Sequence, residues 1–531
     1  MGYTTLWRQL SPRQINLAIQ TFSLVSIFFE GYDQGVMGGV NASPTYVTEV
    51  GIGRPDGTVA DTTHQGGLVC IYYLGCIFGC FVGGWLADRI GRNNGLLFGS
   101  VFALVGGALQ ASIQSSDFMI IARVVTGIGT GALTGITPVL VSEISSAEHR
   151  GGYLGHVFIA NYLGISVAYW LSFGLSFINN GYPDFRWRFL LAFQCIPALI
   201  LAICIKALPN SPRYLASVGL TDEAQDLLNR IRRHKANQKE IDQEYFEIVA
   251  TARDSKLSSP IRFAMILFGK SGRPGANLGR RAWLSLFLQI MASWTGVTNG
   301  LAGGLNTIGI IGTIISAQIV DRLGRRKCLM LGSAVLFTVE IAAGSIYEGS
   351  LRHPDKATKY APGAVAMLFL YAATWGTVAF LIPTEIFPSN LRAQGNGFGI
   401  TGWAIGVGMA TLVNPIMFDS IKSRSYFLLA GLNLLWIPVV YLFYPETCNR
   451  SLESIEALFS TPSPFYWDME CAYCSHGDVL VEWGAEKIDG EKNNKTEGCQ
   501  SLPHEDQEHI FLHAALWYWS SNLYRRELGV Q

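Results

Sequence analysis

Apolar stretches of about 20 residues, each long enough to cross the hydrocarbon core of a bilayer, recur along this chain and leave few folds open to it. They lie at 16–40, 64–87, 95–113, 118–141, 153–175 and 187–208, and again at 282–298, 301–320, 328–347, 363–383, 395–418 and 426–444. A polar segment, 209–281, separates the two groups of six, and the chain is polar again after Pro445. In lipid every backbone polar group needs an internal partner, so consecutive runs of this length predict a bundle of spanning helices. Charged residues make up only 15% of the chain and the mean hydropathy is +0.27, which excludes an ordinary soluble domain. The 58 glycines suit helices that pack closely in lipid through small residues.

A net charge of zero argues against a nucleic-acid partner. The ten cysteines, among them Cys70, Cys76 and Cys80 inside apolar runs, form no disulfide framework. Cys471 and Cys474, with His476 nearby, lack a second pair of ligands, so no metal site and no cofactor is expected. The first apolar run carries Glu30 and Asp33 and reads as a span, not as a cleavable signal. Basic residues concentrate in alternate short loops: Arg89 and Arg92, Arg150, Arg322 to Lys327, and Arg392. Arg186, Arg188, Lys422 and Arg424 are the exceptions on the other side. The richer side is expected in the cytosol, with both termini and the insert. The sequon at Asn41 then lies outside, against the membrane and followed by Pro44.

The two groups of spans repeat each other. Gly84-Trp-Leu-Ala-Asp88-Arg-Ile-Gly-Arg92 is echoed by Ala317-Gln-Ile-Val-Asp321-Arg-Leu-Gly-Arg325. Glu143 precedes Arg150, and Glu385 precedes Arg392, by the same interval. Parallel six-helix repeats build transporters whose two halves rock about a site near the membrane midplane.

These motifs, with Arg123-Val-Val-Thr-Gly-Ile-Gly-Thr-Gly131, Pro209-Asn-Ser-Pro-Arg213, Pro383-Thr-Glu-Ile-Phe-Pro388 and Pro445-Glu-Thr447, resemble those of the major facilitator superfamily, especially its fungal sugar porters. The resemblance runs from Gly31 to about Glu453. It implies an all-α membrane fold of two six-helix bundles, at 15–208 and 282–444, with a cytosolic N-terminus at 1–14, a cytosolic helical insert at 209–281 and a cytosolic tail at 445–531. It implies proton symport of a sugar or polyol by alternating access, in a monomer of the plasma membrane, with no enzymatic activity. A non-transporting nutrient receptor on the same fold, or a truncated product with impaired transport, is the alternative.

The resemblance also assigns roles. Asp33 takes the proton, and Arg123 pairs with it. Asp88, Arg89, Arg92, Glu143, Arg150, Asp321, Arg322, Arg325, Glu385, Arg392 and Glu446 form a conformational gate. Charges clustered at cytosolic helix ends can pair between the halves when the cavity faces outward; each pair is weak, but several together bias a two-state equilibrium. Glu340, in the ninth span, is a further intramembrane charge without an evident partner.

The substrate contacts are where this chain departs from the family. A hexose site needs a fence of amide and hydroxyl groups and an aromatic face. The positions that hold glutamine, a Gln-Gln pair, asparagine and tryptophan in the family hold Phe158, Ala292, Ser293, Thr298 and Phe380 here. Candidate substrate residues are therefore Asn161, Gln289, Thr295, Thr298, Trp375, Phe380, Trp403 and Asn414, around a drier site. The seventh span also looks cut short. Arg280-Arg281 and Asp321-Arg322 belong on one side, and Asn299-Gly300 is the only turn signal between them.

Overall fold

The computed structural model describes residues 6–54, 59–144, 150–178, 184–205, 208–232, 237–254, 265–268, 277–295, 302–353, 362–363, 378–387, 392–448, 450, 455, 458–471 and 473. The chain divides into two units, Met1–Ala472 and Tyr473–Gln531, and every helix named below belongs to the first.

The longer helices before the insert are α1 (Pro12–Asn41), α2 (Thr62–Ile90), α3 (Arg92–Ala111), α4 (Ser116–Ile144), α5 (Arg150–Leu175), and α6 (Phe185–Phe193) continued by α7 (Cys195–Cys204). The insert supplies α8 (Pro212–Ser217), α9 (Thr221–Arg232) and α10 (Gln238–Asp254). After it come α11 (Leu278–Ser293), α12 (Ala302–Leu323), α13 (Arg325–Arg352), α14 (Val378–Glu385), α15 (Arg392–Ile421) and α16 (Arg424–Phe443). Among the described residues eight segments are long and apolar enough to cross a membrane: α2, α3, α4, α5, α6 with α7, α13, α15 and α16. Among the described residues the only β-pairing is an isolated bridge between Gly53 and Val59.

Local sequence explains where these helices begin. Pro12 sits at the first position of α1, and Ser11 closes a capping box with Gln14. Asp61 accepts from the backbone N–H groups of Thr63 and His64 at the start of α2. The repeated motif forms the same turn twice. Gly91 (φ 99°) joins α2 to α3, and Gly324 (φ 90°) joins α12 to α13; both need a residue without Cβ.

Packing is also repeated. Before the insert α1 lies along α5 and α3 along α7; after it α11 lies along α15 and α13 along α16. The two halves meet along α2–α15 and α5–α12, which exchange under the same repeat. Close approach depends on glycine: a Cβ on Gly79 or Gly131 would overlap the backbone of Ile128 or Cys76, so α2 and α4 touch at their backbones.

The insert packs under the first half. Leu227, Ile231, Ile241 and Ile248 join the ends of α1, α3 and α4 in one buried cluster. Arg232 anchors it, donating to the carbonyl of Ile144 (2.7 Å) and pairing with Glu244 (2.9 Å). The described residues after α16, within the segment expected as a tail, fold onto the insert end of the second half at 458–471. Asn277 donates to the carbonyls of Phe459 and Thr461, and the Arg326 guanidinium lies 3.5 Å over the Tyr466 ring.

Candidate functional site

The most buried charges sit between α1 and α4. Arg123 Nη1 donates to Asp33 Oδ1 at 3.2 Å, with both residues at 1% exposure or less. Thr130 Oγ1, two turns along α4, donates to Asp33 Oδ2 at 3.4 Å, and the guanidinium lies 4.4 Å over the Tyr72 ring of α2. Three helices thus enclose one ion pair in which each charge answers the other, the arrangement that makes ionised groups tolerable at membrane depth. Glu30, one turn before Asp33, accepts from Gln34 (3.3 Å) and lies outside the Arg123 pair. The sequence singled out Asp33 and Arg123 but not Tyr72 or Thr130; Thr130 lies in the same glycine-rich motif as Arg123, which was its only signal.

Glu340 has the partner that the sequence did not reveal. Asn433 of α16 donates from Nδ2 to Glu340 Oε2 and to the carbonyl of Thr295, each at 2.9 Å. An amide reaching across three helices leaves no periodic trace in sequence. Thr295 is consequently occupied at the end of α11, where its hydroxyl also donates to the carbonyl of Ala292 (2.8 Å).

Between the halves the expected substrate residues meet an aromatic seam. Phe158 of α5 and Phe380 of α14 stack with centroids 4.4 Å apart, and Trp403 of α15 packs edge-on to Tyr73 of α2 at 5.4 Å. Asn161 lies one turn from Phe158 on α5 and is half-buried. Gln289 of α11 donates to the carbonyl of Ala379, while its Oε1 is buried and unpartnered. Asn414, on α15 beside Pro415, also has an unpartnered Oδ1. Thr298 and Trp375 lie outside the described residues.

The gate residues separate into two matching clusters at the insert end. In the first half Arg92 pairs with Asp88 (2.5 Å) and Glu143 (3.0 Å). In the second Arg325 pairs with Glu385 (3.0 Å), which also accepts from Thr447. Glu446 accepts from the backbone N–H groups of Arg325 and Arg326 and so caps α13. Asn210 does the same at the start of α3, accepting from Asn93 N–H at 3.0 Å, a role its motif did not announce. Arg89 and Arg322 are exposed, and the side chains of Arg150, Asp321 and Arg392 lie outside the described residues.

The ion pairs expected between the halves belong to the outward-facing state; among the described residues the pairs of Arg92 and Arg325 each join helices of one half. Arg92 and Arg325 sit at the motif turns, where the carboxylates of their own bundle reach them first. Among the described residues, a neutral contact crosses between the halves at this end. Asn396 Nδ2 of α15 donates to the carbonyl of Gly135 on α4 at 3.3 Å. Pro138, three residues further on, removes a rung of the α4 ladder beside that carbonyl.

Repeated helix packing, a two-half architecture and charges buried among the helices within each half define a multi-pass membrane transporter of the major facilitator fold. Residues 18–459 match the family described as Sugar (and other) transporter, and the chain belongs to that family. It is similar to the MFS-type transporter criB of Aspergillus cristatus, with 31% identity over 82% of this chain and 91% of the relative. It is also similar to the sugar transporter STL1 of Saccharomyces cerevisiae, with 30% identity over 85% of this chain and 82% of that one. In structure it resembles the proton:xylose symporter XylE (TM-score 0.69, 20% identity), covering 84% of this chain and 99% of XylE, a likeness of fold.

Proposed function

We propose that this chain moves a sugar or polyol across the plasma membrane by proton symport, as a monomer whose bundles at 15–208 and 282–444 alternate access to a site between them. The reading rests on the family, on relatives named as sugar and xylose transporters, and on one observation above all: a carboxylate–guanidinium pair sealed among α1, α2 and α4. When Asp33 is ionised, Arg123 is held to it; when Asp33 is protonated, the guanidinium loses its counter-charge and the packing of α4 against α1 changes. A proton thereby changes the relative stability of two conformations. Asn161, Gln289, Phe380, Trp403 and Asn414 would contact substrate, and the insert end would face the cytosol. Net uptake into proteoliposomes of labelled sugars and polyols, with and without an inward proton gradient, tests this. Concentrative uptake that collapses with a protonophore is expected; substrate-independent leak alone would refute it.

The charge clusters set how the insert end closes. Neutralising Glu143 or Glu385 (Glu→Gln) removes one carboxylate partner from Arg92, which keeps Asp88, or from Arg325, and loosens the helix ends that flank the Asn396–Gly135 contact. The expected result is a several-fold rise in labelling of a cysteine placed at the insert end, on a cysteine-depleted background, because a few broken partly exposed pairs shift a two-state equilibrium modestly. An unchanged ratio of labelling from the two sides would reduce these clusters to clamps within each half.

A further inference from the structure

The seam between the halves has a composition that a fully hydroxylated sugar does not satisfy. Phe158 and Phe380 come from opposite halves and stack at 4.4 Å and 28°, so the rings part whenever the halves separate at this level and meet again when they close. Phe158 is 6% exposed, and the surroundings of Phe380 are apolar: it packs against the cluster of Tyr73, Trp403 and Ile400. Among the described residues the polar groups at the edge of the stack are few. Asn161 is one turn from Phe158. Gln289, bonded through Nε2 to the carbonyl next to Phe380, keeps its buried Oε1 without a donor.

From this we infer that Phe158 and Phe380 are a specificity clamp, and that the substrate is a hydroxylated molecule with an extended apolar face, in chemical class an aryl glycoside. Parted, the two rings present facing aromatic surfaces that hold a flat apolar group from both sides in offset stacking. The orphaned Gln289 Oε1 accepts a hydroxyl from the sugar portion, which satisfies a buried acceptor left open beside the stack. Hydroxyls elsewhere on the apolar face would be buried without partners, and each such group weakens binding by about tenfold. When the ligand leaves, the rings re-stack and exclude water from the path between the halves.

The inference rests on the reading that the protein is a transporter with its site between the halves, and the experiment separates the two. Purified protein is tested by thermal shift with D-glucose, sorbitol and phenyl β-D-glucopyranoside, and reconstituted protein by mass-spectrometric uptake of the same three. Half-saturation by the phenyl glucoside is expected about tenfold below that of D-glucose. Phe158→Leu and Phe380→Leu should each bring the ratio of the two constants towards one, whatever the absolute rate; because the ratio is internal to each variant, partial misfolding does not imitate the result. Transport of D-glucose with no preference for the glucoside, or a preference that survives both substitutions, overturns the clamp and leaves the transport reading standing. Failure of all three probes to bind or enter overturns both.

Discussion

Asp33→Asn is expected to bring substrate accumulation driven by a proton gradient down to simple equilibration while leaving exchange of substrate across the membrane measurable. A gradient of one pH unit is worth about 1.4 kcal/mol per proton, so one-proton symport sustains about tenfold accumulation at equilibrium, and the variant should lose all of it. Asparagine keeps the size of the side chain and an oxygen to accept from Arg123, but it carries no charge and releases no proton. The substitution leaves the guanidinium buried without its counter-charge. Removing one member of a buried pair costs about 3–5 kcal/mol, so the melting temperature should fall alongside coupling. The two losses are separable: Glu30→Gln, one turn away on the same helix and outside the Arg123 pair, should retain concentrative uptake. Undiminished accumulation by a folded Asp33→Asn protein would end the proton-carrier role of Asp33, and loss in Glu30→Gln alone would move it to Glu30.

The second large effect is a gain. The helix α11 runs for 16 residues, and at ~1.5 Å per residue it rises about 24 Å, short of the ~30 Å hydrocarbon core. It stops at Ser293, and the carbonyls at its end find partners inside the protein: Met291 from the N–H of Trp294, and Thr295 from Asn433, itself held by Glu340. A helix end in lipid needs such partners, and these let α11 finish where it does. The turn expected at Asn299-Gly300 lies outside the described residues. In the resembling family the outer half of this helix closes over bound sugar; here nothing in sequence supplies it between Ser293 and Ala302. Inserting an outer half-helix and loop from a relative after Thr298 is expected to raise the rate of uptake several-fold and to slow passive leak, because occlusion becomes complete. Uptake and retention by the unaltered chain equal to those of the extended one would show that α11 suffices as it stands.

Sequence alone determined what depends on composition and local period. The recurrent apolar runs announced spanning helices, since each backbone group in lipid must pair within its own helix, and eight of the twelve runs coincide with described helices long and apolar enough to span. The Asp-Arg-x-Gly-Arg repeat announced two equivalent turns, and Gly91 and Gly324 do share their conformation. Asp33 and Arg123 could be named because a charge inside an apolar run is costly wherever it points, although 90 residues separate them. Which side chains meet across helices was decided only by the tertiary structure. Rotation and register of packed helices gave Glu143 to Arg92 and Glu385 to Arg325 within each half, and they made Asn396, an unremarked amide, a tie between halves. The same geometry stacked Phe158 on Phe380 and brought Asn433 to Glu340. Helical period records which face of a helix is buried; it does not record against what. That depends on how closely neighbouring backbones approach, here set by glycines at which any Cβ would overlap the next helix.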